Sequence, residues 1–258
     1  MDSYLNKYDI LKMYFCEDYW VTDKICIKQP TIGEIIEYGE SEFYSMIGLL
    51  CANPTSLRLS LWNQGINWND IEEYDLFISL IRGFNKEETN ILFGDIDFTK
   101  FMPIQDDDGN IVLICSYDSC IYINKEIGLR ILEYLRVLFD IHPKIERAKG
   151  KATAEAIIFE EELNLKNKER KELENPSSWK KSILFPLISA ALNHPGFKYK
   201  KDELKSVGIF EFMDSIKRLN AYEGTTSLMT GMYMGMLDTK KIDLNKELNW
   251  TRDLYEKD

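Results

Sequence analysis

Residues 27–40 read IKQPTIGEIIEYGE, and the fold turns on how they are parsed. An apolar-polar alternation stops at Pro30, and a helical rhythm begins at once. Before the proline, Val21, Ile25 and Ile27 fit an alternating strand, with Asp23-Lys24 where a turn can sit. Gln29 precedes Pro30 and is pushed toward an extended conformation. Thr31 is a good N-cap, and Glu34 three residues on completes a capping box. Pro30 and Ile35 occupy the staple positions. Ile32, Ile35, Ile36, Gly39, Phe43, Met46, Ile47 and Leu50 then fall on one helical face. Gly39 interrupts it at a cost of about 1 kcal/mol against alanine, which marks a close contact or a kink. The stretch predicts a strand welded to a helix.

Working outward, residues 53–84 open with a break and a new cap at Asn53-Pro54-Thr55. Leu57, Leu59 and Leu61 are too few to separate strand from helix. Asn69 or Asp70 starts a helix striped by Ile71, Tyr74, Phe77, Ile78 and Ile81, and a short helix over 86–93 ends at Gly94. Asp108-Gly109 predicts a type I′ hairpin turn, with β-rich runs at 111–115 and 120–123 making a three-stranded meander. Asn124 caps a helix that turns Ile127, Ile131, Tyr134, Leu135 and Leu138 inward. Residues 145–175 are dense in charge around an apolar island at Ala156–Phe159, and predict an exposed helix or helical linker. SSWKKSILFPLISAALNH, 177–194, predicts a helix kinked at Pro186. A short helix over Asp202–Val207 and two more, Phe210–Leu219 and Ser227–Leu237, follow. The fold class is therefore α+β and helix-rich. An α+β body with short β-hairpins covers 1–145, a charged helical linker 146–175, and an all-helical C-terminal part 176–258.

The 258 residues are 45% hydrophobic and 29% charged, which supports a real core. No apolar run reaches the roughly 18 residues of a membrane helix, and MDSYLNKYDILKMYF lacks the build of a secretory signal. Five cysteines with no CxxC are most simply reduced thiols in a cytosolic setting. The net charge of −11 is uneven: 1–145 carry 12 basic against 24 acidic residues, and 176–258 carry 13 against 11. An acidic body argues against nucleic acid.

Motifs for chemistry are sparse. Both histidines, His142 and His194, precede a proline at a helix end, where a loop role competes with catalysis. Asp106-Asp107-Asp108-Gly109-Asn110 invites calcium, but an EF-hand register puts Ile111 at position six and Tyr117 at position twelve, where glycine and glutamate belong. No phosphate-cradling glycine motif or nucleophile elbow occurs. Lys200, Lys201 and Lys205 before the Gly208 turn have the outline of a helix-turn-helix. Met229, Met232, Tyr233, Met236 and Leu237 recur at three- and four-residue steps and share a helical face, either a core stripe or a binding surface for varied apolar partners. The expectation is a protein without catalytic residues, metal or cofactor.

ICIKQPTIGEIIEYGESEFYSM (25–46) with WNQGINWNDIEEYDLF (62–77) resembles the N-terminal part of proteins from the tail gene clusters of phages that infect Gram-positive bacteria. NHPGFKYKKDELKSVGIFEFMDSIKRLNAYEGTTSLMTGMYMGM (193–236) and LNWTRDL (248–254) are similar to their C-terminal part. The resemblance implies a non-enzymatic tail assembly chaperone. Its partners would be the tape measure protein and tail tube subunits in the host bacterial cytoplasm, with self-association left open. Two other classes remain: a structural tail, baseplate or neck component retained in the virion, and a small regulatory DNA-binding protein.

Overall fold

The computed structural model describes residues 4–106, 109–174, 182–236 and 242–255. The chain is a helix-rich α+β protein with two small antiparallel sheets. The stretch before Pro30 is a hairpin rather than one strand: β1 (Tyr19–Trp20) pairs with β2 (Cys26–Ile27), Tyr19 opposite Ile27. Thr22 Oγ1 accepts from the amides of Lys24 and Ile25, so the turn falls at Asp23-Lys24 as expected. Helix α1 (Lys7–Tyr14) precedes it, capped by Asn6.

Helix α2 (Ile32–Tyr38) starts with the predicted capping box. Thr31 Oγ1 accepts from Glu34 N at 3.2 Å, and the Glu34 carboxylate accepts from Thr31 N at 2.8 Å. A helix start leaves its first amides without intrahelical acceptors. Here a distant segment takes them. Ile32 N donates to Val207 O (3.0 Å) and Gly33 N to Lys205 O (2.9 Å), while Ile209 N donates back to Pro30 O (3.0 Å). The joint read at 27–40 is thus a dock for residues 205–209. Two glycines permit the approach. A Cβ on Gly33 would lie 2.8 Å from Lys205 O, and one on Gly208 1.9 Å from Cys16 Sγ.

The predicted continuous face does not run through. Gly39, at φ +105°, ends α2, and α3 (Glu40–Leu50) begins anew. Ile32, Ile35, Phe43, Met46, Ile47 and Leu50 are buried, but Ile36 is 48% exposed because the break ends α2 after two turns and Ile36 is left on its outer side. The leucine run resolves as α4 (Arg58–Asn63). A 3₁₀ turn at Trp68–Asp70 leads to α5 (Glu73–Ile81), so the helix begins later than read, and α6 spans Lys86–Phe93 as expected.

The meander has strand order β3 (Phe101–Gln105), β4 (Ile111–Cys115), β5 (Tyr122–Ile123). Its first loop joins Gln105 to Ile111 and is closed by Asp106 N donating to Asn110 O at 2.9 Å and Gly109 N to Asp106 O at 3.0 Å. Gly109 has φ +84°; Asp107 and Asp108 lie outside the described residues. Helix α7 (Lys125–Leu138) is capped by Asn124 and buries all five predicted residues. Its Gly128 makes room for the Tyr74 ring, whose hydroxyl lies 2.7 Å from Ile111 O and 3.0 Å from Ile123 O.

Helix α8 (Lys151–Glu174) is mostly exposed, and its first turns cover a small second core. Ala154 and Ile158 pack with Leu61, Trp68 and Leu76, while Phe159 of the predicted island is 69% exposed. Arg58 pairs with Glu146 and Glu161 to hold the approach. Beyond α8, α9 (Leu184–Asn193) places Pro186 in its first turn, where no intrahelical acceptor is needed, so the predicted kink is absent. Residues 177–181 of that predicted helix lie outside the described residues. Glu40 caps α9 from α3, accepting from Ser182 Oγ (2.6 Å), Ile183 N and Leu184 N (2.8 Å). After α10 (Lys201–Leu204) the two helices expected over 210–237 are one, α11 (Ile209–Tyr233). A Cβ at Gly224 would meet no neighbouring element within 4 Å, and the helix runs through the glycine unbroken. A short α12 (Leu244–Glu247) follows. Leu184, Ala191, Leu204, Val207, Ile209, Phe210 and Phe212 share the main core with α2, α3, α5 and α7, so packing crosses the span read as a linker.

Candidate functional site

The methionine stripe lies where α11 runs out. Met234 caps the helix, Gly235 takes φ +68°, Gly235 N donates to Met232 O and Met236 N to Gly231 O, both at 3.0 Å. That is a Schellman closure, set by the glycine. It corrects one feature of the stripe: Met229, Met232 and Tyr233 share the helix, but Met236 lies past its end. Leu237 is outside the described residues. Met232 is half-buried, while Met229, Tyr233, Met234 and Met236 are 40, 86, 64 and 75% exposed. Large apolar side chains are seldom grouped this way on a surface without a partner to cover them.

Upstream on the same helix, α11 forms one wall of a cavity of about 490 Å³. Phe197 and the loop after α9, Trp250, and Tyr14 of α1 line the rest. The ring of Trp250 meets Tyr222 edge to face at 5.6 Å. The segment after α12 is strapped down by Arg218, whose Nη1 donates to Trp250 O (3.2 Å) and Arg252 O (2.5 Å). Tyr255 reinforces it, stacking on Phe210 at 5.1 Å and donating to the buried Asp214 carboxylate at 3.1 Å. Burial, and then the Asp214 charge, hold the Tyr255 phenol above its ordinary value.

The polar groups at this cavity are paired within the chain. His194 Nδ1 accepts from Gly196 N at 3.0 Å, so its proton sits on Nε2, which donates to Glu223 at 2.7 Å. Arg218 Nε lies 3.7 Å from Asp214. Lys198 Nζ is 3.2 Å from both Glu211 and the Tyr14 hydroxyl, and 4.6 Å from the Tyr199 ring centroid. Burial pulls the Lys198 ammonium down, and hydrogen bonds with Tyr199, Tyr14 and Glu211 more than reverse it, leaving it raised. With both ring nitrogens engaged, His194 has no free base to offer a substrate. His142 is exposed beside Asp140, at 3.1 Å. The cavity's lining is mostly apolar, and its charged side chains are paired within the chain.

A second hollow of about 480 Å³ lies between Trp62, Asn67, Asn69 and Asp70 and the start of α8. Asn69 is engaged there with the backbone of Ala148. Among the described residues no group of three His, Cys, Asp or Glu is placed to hold a metal ion, and no helix is long and apolar enough to cross a membrane. The three lysines of the helix-turn-helix outline sit at α10, which is only four residues long, too short for the supporting helix of that motif.

The cavity was not legible as a site in the sequence, since its walls come from positions near 14, 194–198, 214–223 and 250. The signal that existed was textural: NHPGFKYK and LNWTRDL, far apart in the chain, meet here. Comparison with protein-family models, curated proteins and solved structures finds no match for this chain.

Proposed function

We propose that the chain is a non-enzymatic phage tail assembly chaperone that binds the tape measure protein, in the host bacterial cytoplasm, while tail tube subunits assemble. The observation that carries this reading is the exposed group at the end of α11: Met229, Tyr233, Met234 and Met236, outside both buried cores. Methionine is flexible and polarisable, which suits a surface that must accept many different apolar stripes. A long client exposing such stripes before the tube encloses it is the partner that this chemistry fits, and the resemblance of 25–46, 62–77, 193–236 and 248–254 to tail-cluster proteins points the same way.

The test is co-purification of the untagged chain with a tagged tape measure fragment. Met229→Gln with Met236→Gln is expected to weaken retention about tenfold, from the transfer free energy of exposed apolar surface, and to leave the melting temperature unchanged. Full retention by the folded double variant would overturn the role of this face. Purified virions discriminate the structural reading: the chaperone is absent from them, whereas a tail, baseplate or neck component is present at fixed stoichiometry.

A further inference from the structure

The cavity and the exposed end of α11 are two ends of one seam. Leu219, Tyr222, Thr226, Met229 and Tyr233 recur at steps of three, four, three and four residues, the spacing along which a second helix packs. Leu219 and Tyr222 line the cavity, and Tyr222, Met229 and Tyr233 are 51, 40 and 86% exposed. From Leu219 to Tyr233 the seam runs about 21 Å at the helical rise of about 1.5 Å per residue. The rim says which anchor enters the cavity. His194 is paired with Glu223, Arg218 with Asp214, and Lys198 with Glu211. A charged anchor of either sign would have to break one of these pairs, whereas an apolar one leaves them whole. The volume falls in the range, roughly 300–1,000 Å³, of pockets that enclose a bound group.

We infer that the partner is an amphipathic α-helix of about 14 residues or more, matched to that length. Its apolar stripe lies along Thr226, Met229 and Tyr233, and a large uncharged side chain at one end of the stripe enters the cavity against Leu219, Tyr222 and Trp250. The inference deepens the chaperone reading and rests on it for the identity of the client.

The experiment uses the full chain and three synthetic amphipathic helical peptides that differ only at the end of the stripe, carrying Trp, Ala or Glu there. Calorimetry is expected to give the Trp peptide about tenfold tighter binding than the Ala peptide, the free energy of burying one large apolar side chain, with Glu no better than Ala. Ser215→Phe, which fills the cavity from α11, should abolish the Trp advantage and leave the Ala peptide's affinity unchanged. Should that variant fail to fold by circular dichroism, nuclear Overhauser contacts from the peptide's Trp ring to Leu219 and Trp250 of the native chain carry the test, and their absence overturns the anchor. Equal binding of the Trp and Ala peptides to the native chain, or a Trp advantage that survives the folded Ser215→Phe chain, would overturn the anchor. A tape measure fragment held equally by native and plugged chains overturns the anchor alone. Anchored binding of the Trp peptide without any fragment binding leaves the anchor standing and overturns the chaperone reading.

Discussion

Gly33→Ala sets two effects of opposite sign against each other. In an open helix, alanine for glycine stabilises by up to about 1 kcal/mol, because glycine loses more backbone freedom on folding. Gly224 in α11 is such a position, with no heavy atom within 4 Å of where an added methyl would lie, and Gly224→Ala is expected to stabilise by that amount. At Gly33 the added Cβ would lie 2.8 Å from Lys205 O, a backbone atom that cannot rotate away. Overpacking of this kind costs about 1–3 kcal/mol. Moving Lys205 aside also strains the 2.9 Å bond from Gly33 N to the same oxygen, worth a further 0.5–1.5 kcal/mol or so. The clash outweighs the propensity, and the net expectation is a loss of about 1–2 kcal/mol, or roughly 2–8 °C in melting temperature for a chain of this size. Urea unfolding followed by circular dichroism measures both variants side by side. If Gly33→Ala stabilises as much as Gly224→Ala does, segment 205–209 does not rest on α2.

Thr31→Ala removes the acceptor for Glu34 N and should cost about 1 kcal/mol in the same melts; an unchanged midpoint would deny the cap. Glu40→Ala strips three donors at the start of α9, Ser182 Oγ, Ile183 N and Leu184 N, and is expected to cost about 1–2 kcal/mol, with faster amide exchange at Leu184 as its local signature. At alkaline pH, burial and then Glu40 hold the Tyr44 phenol up to about 12, and burial, Asp75 and Asp106 hold Tyr74 up to about 12, against an ordinary value of 10. The unfolded chain therefore sheds these protons first, so stability falls as pH rises from 10 toward 12; equal urea midpoints at about pH 9 and 11 would contradict that sign.

The sequence by itself determined what short-range bonds decide. The Thr31–Glu34 box, the Asn124 cap, helix α6, the meander around Gly109 and the buried stripe of α7 each depend on partners a few residues away or on side-chain periodicity. Their free energies are largely local, so the residue pattern carries them. Other features belong to the tertiary structure alone. Whether Gly39 bends or ends a helix turns on what packs beside it, and glycine permits either outcome. The first amides of α2 are taken by carbonyls at 205 and 207, and the first amides of α9 by a carboxylate at position 40. No local pattern announces an acceptor that far along the chain. The same holds for the apolar stripe at the end of α11. A stripe of Met229, Met232 and Tyr233 reads alike as core or as binding face, since periodicity states that residues share a side and not what covers it. The main core closes on Phe210 and Phe212 at the start of α11, and that closure leaves Met229 and Tyr233 at the far end of the helix exposed.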